Sequence, residues 1–141
     1  MRTTMGIVRL QLSKDYCVTA EHAGEPDKNG QFRIVSRTEI IGPNDVCTDS
    51  YLIIGASEDK SIVENEYKYI QTRFVRFLLM LAVSSINLSP DKFQFIPLQD
   101  FTEKSDIDWN KTIVEIDRQF YRKYKLSEKE IYLIEKMIKS L

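Results

Sequence analysis

Arg73 and Arg76 stand three positions apart in Thr72-Arg73-Phe74-Val75-Arg76-Phe77-Leu78-Leu79, with Lys68 and Lys60 upstream of them. Residues three or four apart share a helix face, so this spacing predicts a cationic strip beside an apolar stripe. Guanidinium and ammonium groups arranged in this way hold phosphates, with polar side chains adding hydrogen bonds. Arg33 and Arg37 fall on or after a neighbouring strand, and Arg118, Arg122, Lys123 and Lys125 crowd the end of a later helix. The same cations also suit a solvated face or the C-terminal end of a helix dipole, and the pattern leaves the two readings level.

Catalytic spacings are missing. The chain holds no GxGxxG, GxxxxGK[ST], GxSxG or HExxH, so dinucleotide, P-loop, hydrolase-elbow and zincin chemistry all lack their required geometry. The single histidine, His22, falls in a polar stretch that ends at Gly24 and Pro26, a solvated position rather than a catalytic base. Cys17 and Cys47 form no CxxC and with one histidine make no zinc set, so reduced thiols are expected. A Mg2+ nuclease needs clustered carboxylates beside a lysine. Asp27 with Glu58-Asp59-Lys60, or Glu66-Tyr67-Lys68, resembles half of such a set, but among 21 acidic residues these triplets arise by chance. The expectation is therefore no catalytic residue, no metal ligand and no cofactor within the chain.

The composition is that of one folded domain. At 141 residues the chain is long enough to bury about 68% of its unfolded surface. Its formal charge of −1 announces neither nucleic acid nor an anionic membrane, so local clustering has to decide. The longest apolar run, Phe77 to Val83, is far short of the roughly 20 residues that cross a bilayer. Residues Met1 to Gly6 are too polar for a signal peptide, and cytoplasmic residence is expected.

Several elements must position these groups. Val8, Leu10 and Leu12 alternate with polar residues and predict a strand, and Phe32 to Val35 predict a second. Tyr51 to Ile54 predict a buried central strand, and Glu21 to Gln31 a turning loop. Ser61-Ile62-Val63-Glu64 reads as a capping box opening one helix of about 20 residues, whose stripe is Ile70, Phe74, Phe77, Leu78 and Leu81 and which ends before Pro90. Phe93 to Ile96 predict a strand stopped by Pro97. Ile113, Ile116, Phe120 and Tyr124 share a helix face, and the capping box Ser127 to Glu130 opens a last helix, giving a hairpin joined at Lys125-Leu126. The aromatic residues at these spacings read as core, and Trp109 as a staple or anchor. The fold class expected is α+β: a small mixed or antiparallel sheet with one long packed helix, followed by a C-terminal helical hairpin. Residues 1–104 would form the α+β part and 105–141 the hairpin packed on it, as a single structural unit.

Cys47-Thr48-Asp49-Ser50-Tyr51-Leu52-Ile53-Ile54-Gly55, Thr72-Arg73-Phe74-Val75-Arg76-Phe77-Leu78-Leu79, Phe95-Ile96-Pro97-Leu98-Gln99-Asp100-Phe101 and the tail from Tyr121 resemble, in order and spacing, the C-terminal, target-recognition-like region of bacterial type II restriction-modification adenine-N6 DNA methyltransferases. The resemblance covers about residues 40 to 141, and residues 1–39 resemble nothing that can be named. It implies a DNA-reading module in which Arg73 and Arg76, with Arg37 and Lys68 beside them, meet double-stranded DNA. The Asn-Pro-Pro-Tyr-type tetrapeptide and the S-adenosylmethionine loop of the family are absent, so methyl transfer and its cofactor are implied only for a separate catalytic domain. Two alternatives stand beside this reading. One is a restriction endonuclease domain using Asp27, Glu58 and Lys60; the other is a docking domain that carries a methyltransferase partner without touching DNA.

Overall fold

The computed structural model of the chain describes residues 7–10, 15–43, 45–48, 52–82 and 90–141. Strands β1 (Ile7–Leu10), β2 (Tyr16–Ala23), β3 (Ile34–Ile41), β4 (Val46–Thr48) and β5 (Leu52–Ser57) precede helices α1 (Lys60–Gln71) and α2 (Arg73–Ala82). A 3₁₀ helix (Pro90–Phe95), α3 (Ile113–Lys123) and α4 (Glu128–Met137) complete an α+β fold. All strand pairings are antiparallel: β1 with β4 as a two-stranded ribbon, and β3-β2-β5 as a three-stranded sheet.

β2 is central because its residues are the ones buried from both sides: Cys17, Val18, Thr19 and Ala20 are all closed off from solvent. The strand at Tyr51 to Ile54, expected at the centre, is instead the edge strand β5, and Tyr51 lies outside the described residues. Gly55 lets the Glu66 carboxylate of α1 press against β5, since any Cβ there would collide with it. Leu12 and the expected helix stop at Asn87 and Ser89 also fall outside the described residues.

The predicted single helix is two. Its start is Asp59 rather than the Ser61–Glu64 box: Asp59 Oδ1 accepts from Ser61 N at 2.9 Å and Ser61 Oγ at 2.6 Å, and these bonds hold the carboxylate below its usual range. Its interior breaks at Thr72, whose backbone is extended (φ −65°, ψ 150°). The hydroxyl of Thr72 donates to Tyr69 O at 2.7 Å and accepts from Val75 N at 3.2 Å, so one side chain serves the end of α1 and the start of α2. The break rotates the apolar stripe: Val75 and Leu79 are buried along with Phe74, whereas Leu81 is left exposed.

Phe93 to Ile96 is not a strand. Residues 90–95 are 3₁₀ and the chain from Ile96 to Asn110 is irregular, yet much of it is covered. Its carbonyls find side-chain donors in place of a ladder: Tyr69 Oη on Pro97 O (2.6 Å), Trp109 Nε1 on Asp100 O (3.0 Å), Asn65 Nδ2 on Phe101 O (2.8 Å) and Lys68 Nζ on Trp109 O (2.6 Å). Trp109 is thus a core residue. Tyr69, Phe74, Phe101, Trp109, Phe120 and Tyr124 form one aromatic cluster, with Phe120 5.1 Å from Tyr69, 5.2 Å from Phe74 and 5.9 Å from Trp109 between ring centroids.

The C-terminal helices begin at paired capping boxes. Ser127–Glu130 opens α4 as expected, and Thr112–Glu115, a T-x-x-E overlooked in the sequence, opens α3. Phe120, Ile116, Ile134 and Ile138 join the same core as α1, α2 and the sheet. Past α4 the chain bridges to Phe32 in parallel, with Phe32 N on Met137 O and Lys139 N on Phe32 O, both 2.8 Å. Because Phe120 contacts both halves of the sequence, Phe120→Ala is expected to cost about 3–5 kcal/mol. Urea unfolding should show that loss in a single transition whether followed by helix signal or by Trp109 fluorescence.

Candidate nucleic-acid interface

The four arginine and lysine positions expected to meet DNA have different fates. Arg76 is 1% exposed. Its Nε donates to Gln71 O (3.1 Å) and Thr72 O (3.2 Å), and its Nη1 to Lys139 O (2.7 Å) and Arg33 O (3.4 Å). Burial pushes its pKa down to about 10, against the pull of Asp117. With its guanidinium spent on backbone carbonyls, Arg76 has no face toward a phosphate. Two of those carbonyls belong to the broken end of α1, which explains a cation here: a helix C-terminus buried without partners is costly.

Arg33 O has a second role. It also accepts from Val35 N at 2.8 Å across Ile34, whose φ is 66°. This is a γ-turn of the rare positive-φ kind at a β-branched residue, a conformation costing on the order of 1–3 kcal/mol. The bond from Arg76 helps hold the carbonyl in the orientation that the turn produces.

Asp117 of α3 answers Arg76 from the opposite side of the break. Its two oxygens accept the first N–H groups of α2, Oδ2 from Arg73 N (3.0 Å) and Oδ1 from Phe74 N (2.9 Å). Burial raises its pKa to about 6, outweighing those bonds and the nearby Arg76 and Arg73.

Lys68 is half-buried and committed to Trp109 O, so it positions the 101–110 segment. Arg73 is the accessible member of the expected strip: its side chain is 22% exposed and Nη1 lies 3.9 Å from Glu135 Oε1. Arg37 belongs to β3, but its side chain lies outside the described residues.

Two members of the alternative metal set have other partners. Asp27 Oδ1 accepts from Asn29 N and Gln31 N, its Oδ2 lies 3.3 Å from Lys139 Nζ, and the two backbone bonds hold its pKa down. Lys60 Nζ lies over the Tyr16 ring at 5.9 Å. Among the described residues no three His, Cys, Asp or Glu side chains are grouped to hold a metal. His22 is in β2, opposite Val35, rather than in the loop after it.

Exposed cations gather at α3. Arg118 and Arg122 are four apart on that helix, and Lys111 stands just before its N-cap Thr112; all three are exposed. With Asp108, Glu115 and Gln119 they line a shallow groove of about 350 Å³. Its acids are already occupied. Glu115 Oε2 accepts from Thr112 N (3.0 Å) and Thr112 Oγ1 (3.1 Å), and its pKa is lowered by them. Asp108 Oδ1 accepts from Asn110 N at 3.0 Å. Gln119 braces the floor, accepting from Asp108 N (2.7 Å) and donating to Asp108 O (3.0 Å). Lys125, exposed with φ 53°, continues the positive face beyond the helix end. Arg118, Arg122 and Lys125 were visible in the sequence as a crowd of charge; Lys111 was not, because its partnership depends on α3 starting at Thr112.

Comparison with protein-family models, with curated proteins and with solved structures gives no match for this chain.

Replacing Arg76 by Met should cost about 3 kcal/mol or more, because the buried carbonyls at the break lose their donor; thermal unfolding at fixed pH checks this. Asp117 supplies a second outcome. Its folded-state pKa of about 6 lies above the ordinary aspartate value of 3.8, so the folded chain holds the proton more tightly. Stability from this group is full below about pH 4 and declines by roughly 3 kcal/mol as pH rises to about 6. Asp117→Asn should flatten that part of the stability profile in urea titrations run at stepped pH.

Proposed function

We propose that the chain is a DNA-binding target-recognition module of a cytoplasmic restriction-modification system, with chemistry supplied by a separate methyltransferase or endonuclease domain. The observation that carries this reading is the groove lined by Lys111, just before α3, and by Arg118 and Arg122 on that helix, whose neighbouring carboxylates are tied into caps and turns. Such a groove gathers several donors while the net charge of the chain stays at −1. Phosphates spaced along a duplex backbone suit it better than a small ligand, since the groove is too open to enclose one. The resemblance of these segments to adenine-N6 methyltransferases points to the same class of partner. Arg73, at the surface, remains within the interface; Arg76 serves as its internal support.

A second surface favours the docking role as an accompaniment. Leu81 of α2 is 65% exposed and Phe95 of the adjoining 3₁₀ helix 60%, with Leu98 95% exposed just beyond. Apolar groups in that number suit contact with a catalytic domain.

Binding to duplex DNA, measured by fluorescence anisotropy at several salt concentrations, tests the proposal. The double variant Arg118→Ala, Arg122→Ala should bind at least tenfold more weakly, and its log K against log salt slope should be shallower by about 2. An unchanged slope would remove α3 from the interface.

A further inference from the structure

Beside the turn at Asp27 lies a groove that neither the helix break nor the α3 cations explain. Its volume is about 500 Å³, and it is lined by Asn29 and Gln31 of the turn and by Tyr132, Glu135 and Lys136 of α4. The three α4 residues stand at i, i+3 and i+4, which puts them on one helix face. Tyr132 is 67% exposed and stands outside the aromatic cluster of the core, so its ring is left to solvent.

The turn is held in shape before any ligand arrives. Asp27 Oδ1 accepts from Asn29 N (2.8 Å) and Gln31 N (3.0 Å), Gly30 turns the chain at φ 79°, and Asp27 Oδ2 lies 3.3 Å from Lys139 Nζ. Gln31 Nε2 lies 3.4 Å from the carbonyls of both Glu135 and Lys136, which ties the turn to the end of α4 and leaves Gln31 Oε1 as an acceptor. The Asn29 side chain is exposed and brings a donor and an acceptor together.

Charge separates this groove from the one on α3. Glu135 and Lys136 offset each other and the other three lining side chains are neutral, so the groove does not gather phosphates. An open aromatic face beside two carboxamides suits a heterocyclic base, whose ring stacks on tyrosine and whose edge carries donors and acceptors. Because the groove is open to solvent, it suits a base carried on a strand, with the sugar and phosphates left outside.

We propose that Tyr132, Asn29 and Gln31 form a site for an unpaired base of a DNA strand, its ring stacked on Tyr132 and its edge on the two carboxamides. The proposal rests on the DNA-binding reading for the nature of the polymer, and adds a base contact separate from the phosphate contacts at α3. Thymine, whose N3–H and O4 form a donor and acceptor pair, is complementary to the Asn29 carboxamide.

Short oligothymidylate and an abasic strand of the same length carry the same phosphates and differ only in their bases. Fluorescence anisotropy should show the parent chain binding oligothymidylate about tenfold more tightly than the abasic strand. Tyr132→Ala should remove that preference, whereas Tyr132→Phe should keep it, because the ring face is what stacks. Asn29→Ala should reduce it roughly threefold. Arg118→Ala, Arg122→Ala should weaken both strands alike and leave their ratio unchanged. Equal binding of the two strands by the parent chain, or a preference that survives Tyr132→Ala, would overturn the base site while leaving duplex binding through α3 in place. A parent chain that binds neither duplex nor single strands removes both readings.

Discussion

A helix that stops in the middle of a core exposes carbonyls at one end and N–H groups at the other, and both must be satisfied where no water reaches. Thr72 imposes that condition here, by taking an extended backbone between α1 and α2. The answer is a set of charged and polar groups around one residue: the Thr72 hydroxyl, the Asp117 carboxylate for the N–H groups of α2, and the Arg76 guanidinium for the carbonyls of α1. Each brings in another part of the chain. Asp117 ties α3 to the break, while Arg76 ties in the γ-turn before β3 and the segment after α4. Without the break, the Arg76 link from the C-terminal segment to the γ-turn before β3 would have no reason to form, and the Phe32 bridge would have to hold that segment.

The irregular stretch from Ile96 to Asn110 follows the same logic with neutral donors. It runs over α1 and α3 with little ladder bonding, and Tyr69, Asn65, Lys68 and Trp109 hydrogen-bond to its carbonyls while their apolar parts fill the core. Gln99 completes the network, its amide nitrogen donating to the Tyr124 hydroxyl at 2.8 Å and its oxygen accepting from Lys123 at 2.8 Å. What holds this segment is its backbone, so the residues of fixed identity are the donors Asn65, Lys68, Tyr69 and Trp109.

Charge is divided by the fold into two populations. Arg76, Lys68 and Lys123 turn inward or along the surface onto carbonyls, an amide oxygen and Asp106. Lys111, Arg118 and Arg122 face solvent beside acids that are already engaged. A near-zero sum therefore coexists with a group of three exposed cations on one groove.

Local chemistry was legible in the sequence where the partner lies within a few residues. The α4 capping box, the two C-terminal helices and the mixed class all follow from short-range spacing, and so did the reading of Tyr69, Phe74, Phe77, Phe93 and Phe101 as core, whereas Phe95 is exposed. The 3.6-residue period also ran unbroken from Ile70 through Leu81, which is why one helix was expected; the break at Thr72 depends in part on Asp117, 44 residues beyond Arg73, for the N–H groups of α2. Arg73 and Arg76 look equivalent three apart on a helix, yet one is at the surface and the other is enclosed by carbonyls from Arg33 and Lys139. The composition and spacing of residues determined which groups were available to bind a phosphate or cap a helix. Which of them are spent inside and which are left for a ligand was decided by tertiary structure, because a buried carbonyl claims its donor from wherever in the chain the packing brings one.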